Sequence, residues 1–240
     1  MIRAHRTSLD AETALKLLKR TDRLKKAGAG PESARRSWRG AHAEKEQLRS
    51  ALRRMSAAIE RCMYCGDSRG TDIDHFEPIK SAPLRTFDWM NHLLACSSCN
   101  SNSKREAYPV DDAGTPLLID PTVEDPFEHL RLILSTGTYR WTTPKGQATI
   151  EVFQLNRADL RRGRELAFPR CQAMLRDYRR LRGAGSGPDA TTMLNALHEQ
   201  PFADVLHAMY RTMTAPGADI VLGGSEVLEA LHLAATTQRL

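Results

Sequence analysis

Apolar positions in the first sixty residues recur at helical spacing. Leu15, Leu17, Leu18 and Leu24 form an uneven stripe among Lys16, Lys19, Arg20, Arg23, Lys25 and Lys26, with Ser8-Leu9-Asp10 as a cap. That pattern predicts an amphipathic helix over Ala11–Lys26. Ala27–Ser33 (AGAGPES) predicts a linker or turn. A second helix is expected from about Ser37 to Ile59, with Trp38, Ala41, Leu48, Leu52, Met55 and Ile59 turned inward. The period then shortens. Thr71–Phe76 reads as a strand with Ile73 and Phe76 in the core, stopped by Pro78. Another short apolar run, Leu93-Leu94-Ala95, precedes Asn100–Glu106, which can start a helix with Asn100 in its first turn or at its cap. Tyr108–Pro126 is rich in Pro, Asp and Gly and reads as loop.

Beyond it, Leu130–Leu134, Thr138–Trp141 and Ala148–Phe153 read as strands, with Pro144-Lys145-Gly146 turning between the last two. Asn156 is placed to cap a helix from Arg157 to about Leu181, bent near Pro169. Gly183–Pro188 is a flexible break, and small helical segments follow without a motif or internal repeat. The expected fold class is α+β, mainly α. It divides into a basic helical segment (1–58), a compact core (59–107), strands with a long helix (108–182) and a helical end (183–240).

Charge changes the picture in one place. The net charge is +6, but residues 1–61 carry 16 Lys/Arg against 7 Asp/Glu, leaving a net −3 on the remainder. A basic amino-terminal third favours a polyanionic partner. Arg53 and Arg54, with Arg61 just beyond, are candidate phosphate contacts, as are Lys104 and Arg105. A solvated helix face that serves only solubility would look the same. Met1–Asp10 has no apolar signal core and no apolar run approaches a membrane span, so a cytoplasmic protein without membrane contact is expected.

The chemistry concentrates in CMYCGDSRGTDIDHFEPIKSAPLRTFDWMNHLLACSSCNSNSK, from Cys62 to Lys104. Cys62/Cys65 and Cys96/Cys99 are two C-x-x-C pairs, each able to aim two thiolates at one point. Together they make the four-sulfur set of a structural zinc. The alternatives are four unrelated buried thiols or a redox pair, and the latter belongs near a βαβ pattern, which is absent. The fifth cysteine, Cys171, reads as a small buried helix residue. Between the pairs stand Asp74, His75 and Asn91, and Asn100 follows the last cysteine. Taken singly, His75 is more often a hydrogen-bonded core histidine and Asn100 a helix cap.

This constellation resembles the HNH nuclease family: a DH dipeptide, a central Asn and a final Asn inside a zinc-bound ββα-metal frame, over about 45 residues. The resemblance implies His75 as general base, Asp74 as ligand of a catalytic divalent ion, Asn91 as the group that orients the histidine, and Asn100 as second metal ligand. His92 could be the orienting residue if the register is one off. A neutral imidazole can take a proton from water at physiological pH, and a hard cation such as Mg²⁺ or Mn²⁺ can neutralise charge on the phosphate.

Downstream, LLIDPTVEDPFEHL and GQATIEVFQLNRADLRRGR look like the HNH nucleases found beside retrons and in Septu antiphage systems. That looser resemblance runs over roughly residues 1–182. It implies DNA as substrate, an ABC-type ATPase partner and two or more copies per complex. The chain carries no GxxxxGK[ST] loop of its own. The rival readings are a non-catalytic zinc-ribbon module for DNA binding or assembly, and a stand-alone restriction-type or RNA nuclease. The zinc-ribbon module would keep the four cysteines but has no need of Asp74, His75 and Asn100.

Overall fold

A computed structural model describes residues 1–57 and 59–237. The amino-terminal third is helical, as expected, but in three pieces. α1 spans Ala11–Lys26, and Asp10 caps it by accepting from the Thr13 amide at 2.8 Å. α2 spans Pro31–Arg39, and α3 spans His42–Met55. The expected single helix over Ser37–Ile59 therefore starts earlier, breaks at Gly40-Ala41 and ends sooner. Gly30-Pro31 starts α2, since proline at the first helical position has its φ preset and needs no amide partner. Trp38 is half-buried, Ala41, Leu48, Leu52 and Met55 are buried as expected, but Ile59 lies beyond the helix and is 57% exposed.

The core segment holds a two-stranded antiparallel sheet of β1 (Asp72–His75) and β2 (His92–Ala95). Its register pairs Asp72 with Ala95, Ile73 with Leu94, Asp74 with Leu93 and His75 with His92. A π-helical turn, Ser98–Lys104, follows. The extended amino terminus straps this unit. The Ala4 amide donates to Pro121 O at 2.8 Å, Arg6 donates to Trp89 O and His92 O, and Trp89 Nε1 donates to Thr7 O. Part of the basic charge of this third is thus spent on internal bonds.

A second antiparallel hairpin pairs β3 (Leu130–Ile133) with β4 (Thr138–Trp141), as the sequence predicts. The expected strand over Ala148–Phe153 and the turn before it are instead one helix, α4 (Pro144–Val152). Thr143 caps it by accepting from the Gly146 amide at 3.2 Å, and Pro144 opens it. Gly146 sits so close to the preceding hairpin that a Cβ would meet His129 O at 2.1 Å. Asn156 does not cap the long helix. Its amide pairs with the backbone of Tyr139 in both directions at 2.8 Å, completing the edge of β4 as another strand would. The long helix is α5 (Ala158–Gly183), which runs through Pro169. α6 (Gly187–Glu199), α7 (Ala203–Thr212), α8 (Ala218–Leu222) and α9 (Ser225–Thr237) pack around it. Leu160, Cys171, Leu175, Leu194, Leu197, Leu206 and Leu231 fill the space between them.

The architecture is mainly helical with two small sheets. One contiguous apolar core runs from Leu17 and Leu48 through Leu93 and Leu94 to Phe153 and the α5–α9 layer. The carboxy-terminal layer touches the nuclease-like segment directly, because the Phe202 amide donates to Gly66 O at 3.1 Å. Among the described residues, no helix is long and apolar enough to cross a membrane.

Candidate active site

The four cysteines converge. Cys62 and Cys65 lie on the turn before β1; Cys96 follows directly after β2 and Cys99 lies in the π-helical turn. Backbone bonds fix both knuckles: Cys62 N to Ser68 O and Gly66 N to Cys62 O at 2.9 Å, and Asn100 N to Cys96 O at 2.9 Å. All four thiols are buried, and their sulfur atoms lie within 4.8 Å of one another, with Cys65 and Cys96 3.9 Å apart. Tetrahedral zinc with Zn–S bonds of about 2.3 Å requires sulfurs about 3.8 Å apart. The donor set and its spacing therefore fit zinc. Burial, then the neighbouring thiols of Cys65 and Cys96, raise the Cys62 thiol well above its ordinary value, so four thiolates held together here need a cation.

His75 ends β1 and points to the side opposite Asp72 and Asp74, as alternation along a strand requires. Its Nε2 lies 3.0 Å from Thr86 O. A carbonyl has no proton to give, so Nε2 carries the hydrogen and the lone pair of the neutral ring sits on Nδ1. Burial lowers the His75 pKa to about 4, so the ring is neutral at physiological pH. His92, directly across the sheet, donates from Nε2 to the same Thr86 carbonyl at 3.0 Å. Burial, then the neighbouring His75, depress His92 well below its ordinary value. Trp38 of α2 packs edge-on against His75 at 4.6 Å and stacks on His92 at 5.3 Å. The imidazole expected to act as base is thus held by a carbonyl on one side and an indole on the other.

Asn91 does not touch either ring. Its Oδ1 accepts from the Glu77 amide at 2.8 Å, and its Nδ2 donates to Glu77 O and Arg85 O. It closes the loop between β1 and β2 on itself, and that loop carries Thr86. Asn91 can therefore act on His75 through the loop that carries Thr86 and through its own carbonyl, which accepts from the Phe76 amide at 2.8 Å. His92, one residue on, is the neighbour that shares the carbonyl.

Asp74 is 2% exposed, and both of its oxygens are engaged. Lys104 Nζ donates to Oδ1 at 2.9 Å and the Tyr64 hydroxyl donates to Oδ2. Burial, then the Asp74 charge, push Tyr64 well above its ordinary value, so it stays a donor. Asn100 lies within the π-helical turn, not at its cap, and its Nδ2 donates to Asp72 Oδ2 at 3.3 Å. Ser101 Oγ reaches the same oxygen at 3.3 Å. Asp74 and Asn100 are therefore close along one face but hold different partners. As arranged, the residues do not offer Asp74 as an open ligand for a divalent ion.

The expected phosphate contacts separate into two groups. Lys104 is 1% exposed and buried in its ion pair with Asp74, so it is removed from any outward surface. Arg53 pairs with Glu60, and Arg61 donates to Asp67 O at 2.8 Å. Arg54 and Arg105 are exposed. Three groups that shape the site carry no sequence signal of their own: Tyr64 inside the first C-x-x-C, the Thr86 carbonyl, and the face of Trp38.

Residues 62–106 match the family model described as HNH endonuclease. The chain is similar to the Septu protein PtuB of Bacillus thuringiensis, 28% identical over 131 residues, covering 52% of this chain and 46% of that protein. It is also similar to the Septu protein PtuB of Bacillus mycoides (strain KBAB4), 26% identical over 146 residues and 48% of each chain. The chain spans about half the length of these curated relatives. No solved structure matches.

Proposed function

We propose that the chain is a metal-dependent HNH endonuclease that hydrolyses DNA phosphodiester bonds, working in the cytoplasm as the nuclease effector of an antiphage defence system. The observation that carries the reading is His75. It stands at the DH position of the segment that matches the HNH family, and its only lone pair is on Nδ1. In the proposed reaction Nδ1 takes the proton from the attacking water, while Thr86 O holds the ring's tautomer and Trp38 limits its rotation. A divalent ion, Mg²⁺ or Mn²⁺, belongs to the proposal as the neutraliser of charge on the phosphate. Asp74 and Asn100 belong to it as the ligands of that ion, Asp74 once Lys104 has left its Oδ1. Arg53, Arg54, Arg61 and Arg105 are proposed to meet the DNA backbone, with Arg54 and Arg105 best exposed for it.

The likeness to Septu proteins supports the defence role; control by an ABC-type ATPase partner and two or more copies per complex are part of the proposal. A site with one base cuts one strand per encounter, so a double-strand break needs two copies or two nicks. The test is a supercoiled plasmid incubated with the purified chain, with and without a co-expressed ATPase, in Mg²⁺ or Mn²⁺. Nicking that His75→Ala abolishes is expected. Undiminished nicking by His75→Ala, or full activity in excess EDTA, would sink the assignment.

A further inference from the structure

We infer that Lys104 is a built-in cation of the nuclease site: its ammonium occupies the oxygen-lined position at Asp74 that a divalent ion would otherwise take, so divalent binding there competes with it. The inference rests on the nuclease reading only for what the ion would do, not for where it would sit.

The geometry comes from the π-helical turn. The Arg105 amide bonds to Asn100 O at 2.7 Å, a five-residue closure. Residues four apart share one face of a helical turn, and Asn100 and Lys104 both face β1. Asn100 meets Asp72, and Lys104 meets Asp74 two residues further along the same face of the strand. Lys104 Nζ then lies 2.9 Å from Asp74 Oδ1 and 2.6 Å from His75 O. The whole side chain is buried. A lysine is almost never buried unless it is paired, and this one is paired with the carboxylate beside His75.

The atoms around the ammonium are the second argument. It is bound by a carboxylate and a backbone carbonyl, the oxygen set that suits Mg²⁺ or Mn²⁺. The Tyr64 hydroxyl completes the carboxylate's partners. With Lys104 in place the pocket is neutral, and a divalent ion beside it would add two uncompensated charges in a buried site. Without Lys104, the same pocket is an anionic oxygen site with the volume of a lysine side chain free for an ion and its waters. Lys104 therefore sets how readily Asp74 takes a divalent ion. Two residues on, Glu106 is held by Arg35 of α2 and by Lys80, so a shift of either would pull on the turn that carries Lys104.

The test uses the full chain with its zinc, in a His75→Ala background, so that binding is read without cleavage. Mn²⁺ is titrated by calorimetry and by thermal unfolding into the parent and into Lys104→Ala, Lys104→Arg and Lys104→Ala/Asp74→Asn. Lys104→Ala is expected to bind Mn²⁺ at least about tenfold tighter than the parent. Its melting temperature should climb with Mn²⁺ while that of the parent stays flat. Lys104→Arg should behave as the parent, and Asp74→Asn should erase the gain. If Lys104→Ala does not fold alone, refolding in Mn²⁺ is expected to recover it, and failure of Mn²⁺ to do so overturns the inference. Unchanged Mn²⁺ affinity in Lys104→Ala, or a gain that survives Asp74→Asn, also overturns it. Wild-type plasmid nicking together with unchanged Mn²⁺ affinity in Lys104→Ala defeats this inference alone. Tighter Mn²⁺ binding in a chain that never cuts nucleic acid defeats the nuclease reading and leaves this one standing.

Discussion

Replacing Cys96 by serine should melt the nuclease segment and leave the carboxy-terminal helices folded. Cys96 joins the two halves of the sulfur cluster: it follows directly after β2 and its sulfur lies 3.9 Å from that of Cys65. A structural zinc contributes about 10–16 kcal/mol to folding in small zinc modules at neutral pH. Whole domains are stable by only about 5–15 kcal/mol. Losing a large fraction of the metal term therefore exceeds what the segment has to spare. β1 and β2 have four residues each and cannot replace it, because a lone hairpin is marginal in water. The α5–α9 layer has its own buried leucines and should survive, with Phe202 losing its bond to Gly66 O. Elemental analysis should find one zinc per wild-type chain and less in Cys96→Ser. Hydrogen exchange should show residues 60–105 losing protection and 158–237 keeping it. Cys171→Ser, buried outside the cluster, should keep its zinc. Soluble Cys96→Ser with native protection over 62–106, or zinc-free wild type with that protection intact, would refute the reasoning.

His75 should titrate far below an ordinary histidine. Its folded pKa is depressed, so the unfolded chain binds the extra proton first, and stability should fall as pH drops from about 6.5 towards 4. An NMR titration placing the His75 ring near its unperturbed value would contradict the buried geometry, and His75→Ala should flatten that part of the stability curve. Arg164→Met should destabilise the chain by about 2–5 kcal/mol, because the buried guanidinium serves the carbonyls of Gly137 and Leu155 and covers the Tyr139 ring; denaturant unfolding with an unchanged midpoint would argue against it. Gly163→Ala should cost about 1–3 kcal/mol despite alanine's better helix propensity, since a Cβ there would meet the Phe202 ring at 2.2 Å. A rise in melting temperature for that variant would show that Phe202 is free to move.

What the sequence made legible was the chemistry set by short spacings. Each C-x-x-C closes its own knuckle, so the sulfur cluster needs only one long-range approach, and β1 and β2 supply it. The helical third was read in outline but not in its breaks. The apolar period from Trp38 to Met55 continues across Gly40-Ala41, so the pattern hides the interruption there. Ala148, Ile150 and Val152 alternate as a strand would, yet Thr143-Pro144 starts a helix there, and the buried positions prove to be Gly146 and Thr149. Asn156 has the right residue type for a cap, but the unpaired edge of Tyr139 binds it instead. The first two misreadings are local signals outweighed by the apolar period; the third is a local preference overridden by a partner distant in the chain.

The carboxylates of β1 show how such partners decide which groups stay open. Asp72 and Asp74 lie two apart on one strand, so both face the π-helical turn, and residue type cannot say which is open. The turn decides it. It carries Lys104 onto Asp74 and leaves Asn100 and Ser101 against Asp72, which keeps partial access to solvent. Residues four apart sit on one face of a helical turn, so Asn100 and Lys104 both reach towards β1, each over its own aspartate. The choice between a carboxylate sealed by lysine and one with access to solvent therefore lies in which residue of the turn stands over which residue of the strand.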